Sequence, residues 1–345
     1  MRPLPTAVPT HRSEPHSETP DAPIVSVVIA TCGRRALLRR CLGAVLAQDL
    51  GGEAFEVVVV DDGHDSETLH MIRELQCAPP AGGNEPAPGL VYLRPRSGHG
   101  PAVARNRGWL NARAELIAFT DDDTVPQPGW LAQGLRAMAR SPAWAAARGR
   151  LVVPRDAPTT PGPQDTEFAR ANAFVRRRAL ELVGGFDERF TRAWHEDADL
   201  LFRLARDVGE VGRCDDAIVF RPRRAERWGA CLRQQRDMYF DALLYKKHRR
   251  LYRERILRIP PWRHYAIVGL SGAALVSAAL GGGDVALGCA GGALALMLEL
   301  AWQRLRKISR TPRQVAEVLA TSALLPFLSV YWRLRGAWRF RVLFL

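Results

Sequence analysis

Three aspartates stand side by side at Asp121, Asp122 and Asp123, in the stretch AFTDDDTVPQPGW, residues 118–130. Crowded carboxylates repel and raise one another's pKa unless a cation joins them. Hard divalent ions take oxygen ligands, and Mg2+ binds through one or two carboxylates plus substrate phosphates. An ion held here would neutralise both the aspartates and an incoming diphosphate; a solvated acidic turn is the plain alternative. A second acidic group, Glu196, Asp197 and Asp199, lies in WHEDADLLFRL, residues 194–204. The spacing of Leu200, Leu201 and Leu204 predicts a helix, with the acids at its N-terminus, where the helix dipole favours them. A carboxylate there can also take a proton from an attacking hydroxyl. Asp62 closes an apolar run and could accept from a base imide or a ribose hydroxyl, or simply cap a helix. Trp194 and His195 read as packing or supporting residues rather than as ligands.

The elements that must position these groups alternate. IVSVVIA (24–30) and FEVVVV (55–60) read as buried strands, GLVYL (89–93) as a weaker one, and Ala114 to Thr120 as the strand before the triple Asp. Helical spacing covers 34–48, where Leu37, Leu38, Cys41, Leu42, Val45 and Leu46 share a face, and helices are expected over 66–76 and 101–113. Such alternation argues for an α/β fold with a mostly parallel sheet. Ligands of these sheets bind beyond the carboxyl ends of the strands, and Thr31, Asp62 and Asp121–Asp123 all fall at such ends. The first strand runs into TCGRR instead of a Gly-x-Gly-x-x-Gly turn, which argues against a dinucleotide pocket. Pro126, Pro128 and Gly129 mark a turn after the aspartates. GGFDERF (184–190) has the glycines and polar tip of a loop shaping a pocket.

The chain has 345 residues, 47% hydrophobic, with a formal net charge of +13. Residues 221–263 hold 14 Lys or Arg against 4 Asp or Glu, so much of the imbalance sits in one segment. That segment runs into YAIVGLSGAALVSAALGGG (265–283), and residues 265–302 carry only Asp284 and Glu299 as charges. As helix this stretch covers about 57 Å, close to two crossings of a hydrocarbon core of about 30 Å. Gly281 to Asp284 would form the turn, and Gly288 and Gly292 have the small-residue spacing of close helix packing. A buried hairpin in a soluble protein is the alternative. The basic flanks, which include Arg304, Arg306, Lys307 and Arg310, belong on the cytoplasmic side. A third apolar stretch, Val318 to Trp332, contains Pro326 and leads into RLRGAWRFRVLFL; its interleaved Trp and Arg suit an interfacial helix, with a third span as the second choice. The six cysteines show no metal-ligand spacing and suggest a reducing compartment. Residues 1–22, rich in Pro, Ser, Thr and His, read as a disordered tail.

The ordered set VSVVIATCGRR, VVVVDDG, GPAVARNRGW, AFTDDD, ANAFVRRRALELVGGFDERF and HEDADLLFRL resembles family 2 glycosyltransferases of the GT-A fold across residues 24–205. The resemblance implies a GT-A mixed, mostly parallel sheet flanked by helices, followed by a C-terminal membrane-associated helical region. It implies a nucleotide-sugar donor held by Thr31, Arg34, Asp62, Arg105, Asn106, Asp121 and Asp122. It implies Mg2+ or Mn2+ at Asp121, Asp122 and Asp123, and Asp197 as catalytic base with Glu196 beside it. Asn172, Gly184, Gly185 and Asp187 fall on the sugar and acceptor side. Members generally invert the anomeric centre by direct displacement. Processive membrane members carry a Gln-x-x-Arg-Trp motif; here RQQRDMYFDALLYKKH (233–248) lacks that Trp, so transfer of a single sugar is expected, with Arg233 or Arg236 still able to reach the diphosphate.

The expected organisation is a tail at 1–22, a GT-A catalytic domain at 23–220, a basic helical connector at 221–263, a transmembrane helical hairpin at 264–303 and a basic, amphipathic region at 304–345. The expected donor is a uridine diphosphate sugar. The expected acceptor is a hydroxyl or phosphate of a lipid-linked glycan or polyprenyl phosphate, as in cell-envelope glycan synthesis. The basic connector would rest on anionic lipid head groups, placing the enzyme at the inner membrane with its catalytic domain on the cytoplasmic side. Two rivals remain at this point. Asp121-x-Asp123-x-Val125 matches the signature of haloacid-dehalogenase phosphatases, with Asp121 as nucleophile, although that signature normally opens the first strand. A basic membrane or nucleic-acid binding module is the other; no nucleic-acid motif accompanies the charge, so nucleic acid is not an expected partner.

Overall fold

The computed structural model describes residues 22–77, 88–153, 171–222, 228–306 and 311–344. The expected N-terminal tail lies outside the described residues except for Ala22, and so do Lys307 and Arg310 of the basic flank.

The N-terminal half is a single eight-stranded sheet in the order β3-β2-β1-β4-β7-β6-β8-β5. Four strands, β1 (Val25–Thr31), β2 (Phe55–Asp61), β3 (Gly89–Leu93) and β4 (Leu116–Asp121), run parallel to one another. Helices α1 (Arg35–Leu46), α2 (Ser66–Cys77) and α3 (Pro101–Asn111) connect them. Val57, Val58, Val59 and Val60 are all fully buried. A parallel strand covered on both faces needs such a continuous apolar run, which is why β1, β2 and β4 stand out in the sequence. β4 starts two residues later than expected and carries Asp121 as its last residue.

The second half of the sheet departs from the expected pattern. β5 (Val125–Pro126) follows the aspartates, then α4 (Trp130–Arg140), β6 (Trp144–Val152), β7 (Ala173–Arg176), α5 (Arg177–Val183), α6 (Glu196–Asp207) and β8 (Glu210–Phe220). β7 lies antiparallel between β4 and β6, while β6 and β8 run parallel. β5 is a two-residue edge pairing with β8, a position that tolerates Pro126. The sheet is thus mixed, with a parallel half (β3, β2, β1, β4) and a half that contains the antiparallel β7.

Beyond the sheet, α7 (Ala230–Gln234), a 3-10 turn (Gln235–Phe240) and α8 (Asp241–Lys247) form one helical run. A short α9 (Arg249–Leu251) and a π turn (Tyr252–Ile256) follow. Phe190 and Phe202 from the sheet domain pack here with Phe240, Tyr245, Tyr252 and Phe344. The described part of the basic connector is therefore packed on the sheet domain.

Three long helices complete the chain: α10 (Trp262–Ala279), α11 (Gly283–Leu305) and α12 (Pro312–Phe340). α10 and α11 form the expected hairpin, turning at Gly281, whose φ of +82° suits glycine. Gly292 faces Leu270, whose Cδ1 would lie 3.4 Å from an added Cβ, but Gly288 has nothing within 4 Å and makes no close helix contact. Among the described helices, α11 and α12 are long and apolar enough to cross a membrane, and α10 of the expected spanning hairpin is not. α12 starts on a Thr311 cap with Pro312 at its first position and continues through Pro326. Its C-terminal half docks on the 3-10 turn, where a Cβ on Gly336 would lie 2.3 Å from the Tyr239 carbonyl oxygen. Only glycine allows that approach.

Candidate active site

The triple Asp divides its three carboxylates between different partners. Asp122 is fully buried beneath the strand ends. Its Oδ2 accepts from Thr31 Oγ1 at 2.7 Å and Arg34 Nε at 2.9 Å, and its Oδ1 lies 2.6 Å from an Arg34 nitrogen. Burial pushes its pKa up to about 6, against the pull of Arg34 and the Thr31 hydrogen bond. Asp121 pairs with Arg105 at 2.9 Å and with Arg221 at 2.5 Å, one on each oxygen. Arg221 Nε also stands 3.3 Å from Asp123. The cations that relieve the crowding are thus three arginines, one from each of three distant segments.

Asp121 and Asp123 share the guanidinium of Arg221, at the end of β8. Both are hard oxygen donors, and a divalent ion would fit between them in the place that the Arg221 guanidinium fills here. Asp122, fully buried, is bound by Thr31 and Arg34 and is not part of the pair that shares Arg221. Among the described residues no three Asp, Glu, His or Cys side chains form a ready-made ligand set, so an ion here would draw further ligands from substrate phosphates and water.

Asp62 stands at the next strand end. Its Oδ2 accepts the Gly100 N–H at 3.0 Å, and its buried Oδ1 has no protein partner. Gly100 holds φ +108°, and a Cβ there would meet the Thr191 carbonyl oxygen at 2.5 Å. The neighbouring Asp61 instead closes its own turn, accepting from Gly63 and Asp65 amides and from the Tyr92 hydroxyl.

Arg105 joins the two acidic groups. One nitrogen reaches Asp121 and another reaches Glu196 Oε1 at 3.0 Å, and the arginine is buried. Glu196, Asp197 and Asp199 occupy the first turn of α6, as the sequence predicts, and all three are buried. Asp197 Oδ1 accepts the Ala198 amide at 2.8 Å. Asp199 points elsewhere, to Arg203, Lys247 and His248. Burial opposes its ionisation, but the His248 hydrogen bond and the charges of Arg203 and Lys247 outweigh it and hold the pKa below the usual carboxylate range. Asp199 is therefore structural.

In the loop after α5, Gly184 and Gly185 adopt left-handed φ values of +72° and +67°. Asn106 pins the loop that follows: its amide donates to the Phe186 carbonyl and to Glu188, and its oxygen accepts from the Phe186 N–H and Trp109 Nε1. Asp187 pairs with Arg189 and Lys247, which hold its pKa low in spite of partial burial. Asn172 is fully buried, bonded to Trp130 Nε1 and to the carbonyls of Arg150 and Ala217, and so sews the sheet together beneath the site. Arg236 stacks over Trp332 of α12, and Arg233 donates to the Trp228 carbonyl. The arginine at the aspartates from this part of the chain is Arg221, which sequence reasoning missed. Nothing distinguishes it among the many basic residues of its segment except its place at the end of a strand.

The phosphatase reading does not fit this topology. The strand that carries Asp121 is the fourth of the domain, whereas that signature opens the first.

Residues 26–195 match the family Glycosyl transferase family 2. A validoxylamine A glucosyltransferase of Streptomyces hygroscopicus subsp. limoneus is 36% identical over 120 residues, which are 34% of this chain and 24% of that protein. A glycosyltransferase of Haloferax volcanii is 30% identical over 117 residues, 34% of this chain and 36% of that protein. The matched region thus spans about a quarter to a third of the length of these relatives. Among solved structures, a mannosyltransferase from Pyrobaculum calidifontis, in complex with GDP-mannose and Mn2+, superposes with a TM-score of 0.56 at 20% identity, covering 94% of this chain and 88% of that one. The strand-end acids lie within the matched region and the α6 turn directly follows it; residues 26–195 are similar to the family 2 glycosyltransferases, and the fold is that of the GT-A enzymes.

Proposed function

We propose that the chain transfers a single sugar from a nucleotide-diphosphate sugar to a membrane-associated acceptor, with inversion at the anomeric carbon. The observation that carries this reading is the Arg105 bridge, which fixes Asp121 of the donor rim and Glu196 of the α6 turn on one side chain. Donor and base sites are then held in register by a buried ion-pair network.

The nucleotide would lie across the strand ends, with the partnerless Asp62 Oδ1 accepting from the base or ribose. Asp121 and Asp123 would hold Mg2+ or Mn2+, whose positive charge stabilises the departing diphosphate. The Mn2+ and GDP-mannose bound by the mannosyltransferase of similar fold support this arrangement in kind; a uridine donor is our preferred choice, with guanosine as its competitor. Arg221, already between the two aspartates, is placed to take phosphate charge as the donor enters. Asp197 accepts the proton of the acceptor hydroxyl as its oxygen forms a bond to the anomeric carbon. The bond from that carbon to the phosphate oxygen breaks, and the nucleoside diphosphate leaves with the electron pair. Glu196, paired with Arg105, ties the α6 turn to the donor rim.

The acceptor reading follows from the C-terminal helices. α11 and α12 carry exposed apolar surface of membrane-spanning length, and basic residues from Arg249 to Arg263 precede them. We place these arginines against anionic head groups at the cytoplasmic face of the inner membrane, with a lipid-linked glycan or polyprenyl phosphate entering at the loop Gly184–Asp187. Stereochemistry tests the mechanism. With UDP-glucose, UDP-N-acetylglucosamine or GDP-mannose and water as slow acceptor, proton NMR reads the first anomer released. The inverted anomer is expected; the retained one would overturn direct displacement.

A further inference from the structure

Asp241 opens α8 and is 3% exposed. It carries no assigned role, and in sequence it stands 46 residues from His195 inside a basic stretch. Its two oxygens serve two different parts of the molecule. Oδ1 accepts from Trp194 Nε1 at 2.8 Å and from His195 Nε2 at 2.9 Å. Oδ2 accepts from the Tyr252 hydroxyl at 3.0 Å and from Arg333 at 2.7 Å. An ionised carboxylate is acceptor-only, so His195 must carry its proton on Nε2. Arg333 belongs to α12 and lies 4.9 Å from the centroid of the buried Phe344 ring.

The residues on Oδ1 immediately precede Glu196 and Asp197. His195 is the N-cap of α6 and holds φ +68°, a left-handed conformation uncommon for a side-chain-bearing residue. Such a conformation persists when its surroundings over-determine it. Here the ring bond to Asp241 and the packing of Trp194 and Tyr252 on the His195 ring supply that constraint.

We propose that Asp241 is a positioning residue, which locks the turn carrying Asp197 by tying Trp194 and His195 to Arg333 of the C-terminal helix. The consequence is that the catalytic turn takes its alignment from α12, the same helix whose other end presents apolar surface. The proposal rests on the reading of Asp197 as base, so its test must separate the two.

Full-length Asp241→Asn, Arg333→Lys, Arg333→Met and Asp197→Asn are compared with wild type in detergent. Release of nucleoside diphosphate from UDP-glucose, UDP-N-acetylglucosamine and GDP-mannose gives kcat and KM; calorimetry gives nucleotide affinity. Asparagine at 241 must turn its NH2 toward one of the two donor pairs, so one half of the tie is lost. A misplacement of about 1 Å can cost about 100-fold in rate. Asp241→Asn is expected to lose about 10- to 100-fold in kcat, with KM and nucleotide affinity within about twofold. Arg333→Met should follow it, and Arg333→Lys should recover most of the rate. Folded Asp241→Asn with wild-type kcat would overturn the proposal, and inactive Asp197→Asn beside it would leave the base reading intact. Wild-type turnover in Asp197→Asn would instead overturn the base reading. If Asp241→Asn fails to fold, the two Arg333 variants decide: a clear advantage of Lys over Met in kcat supports the tie, and equal rates refute it.

Discussion

The sheet domain and the C-terminal helices use the same residue types in opposite ways. In the sheet domain, valines and phenylalanines are inside and the charges of the rim are paired inward: Arg34 with Asp122, Arg105 with Asp121 and Glu196, Arg221 with Asp121 and Asp123. In α10, α11 and α12 the leucines face outward. Leu275, Leu280, Leu287 and Trp338 are each at least 75% exposed, while Arg304 and Arg333 are turned inward to Thr321, Ser322 and Asp241. A contiguous apolar surface of this kind marks contact with a membrane or another protein, and an inward-facing charge is how spanning helices carry polar groups. One region keeps its apolar side chains inside and pairs its rim charges, and the other presents apolar side chains outward. Asp241 and Gly336 are where the two are joined.

The largest effect that would break this comparison belongs to the rim. Asp197→Asn should keep nucleotide binding within about twofold and lower turnover by about 10²- to 10⁴-fold, the usual contribution of a general base. Calorimetry and nucleoside diphosphate release measure the two separately, and retained turnover would remove the base from the rim. The helices are tested next. Leu287→Arg places a charge on the exposed face of α11, where an arginine at mid-membrane costs about 2.5–3.5 kcal/mol. Flotation with anionic vesicles should fall by roughly 100-fold, while turnover in detergent stays unchanged. Leu110→Arg, at an exposed leucine of the sheet domain, should alter neither. Equal flotation of both variants would erase the distinction between the regions.

The smallest effect is a pH dependence confined to the rim. The folded pKa of Asp122, about 6, lies above its ordinary value of 3.8. A raised carboxylate pKa favours folding when the group is protonated. That contribution is fully present below about pH 4 and is lost as pH rises through 6. Its upper size is about 3 kcal/mol for two pKa units. Asp122→Asn should therefore gain stability relative to wild type between pH 4 and 7.5, read from denaturant midpoints. A constant difference across that window would contradict the raised pKa.

Much of this organisation is legible in the sequence where burial is two-sided. β1, β2 and β4 are near-continuous apolar runs, and the acids that close them are visible as strand-end carboxylates. β6, β7 and β8 were not legible. WAAARGRLV is alanine-rich and broken by Arg and Gly, AFVR is four residues long, and EVGRCDDAIVF is interrupted by charge. Their identity comes from pairing, and the Asn172 side chain supplies part of that through contacts 22 to 45 residues away. The site divides in the same way. The α6 acids were found because helix spacing and charge coincide. The separate fates of Asp121, Asp122 and Asp123 were hidden, since adjacent residues on a turn point in different directions. Arg221 and Asp241 were hidden because a basic segment gives no local sign of which charge is buried.

The central claim is that Asp121 and Asp123 form, with a divalent ion, the diphosphate site of a nucleotide-sugar donor. Its most direct test is calorimetric titration of UDP, GDP, ADP and CDP into the full-length protein, with and without Mn2+, beside Asp123→Ala. The account predicts one favoured base, binding that requires Mn2+, and affinity at least about tenfold weaker in the variant, the loss expected for about 1.4 kcal/mol of a charge-assisted contact. Binding indifferent to both Mn2+ and Asp123, or no nucleotide binding by the folded protein, would contradict it.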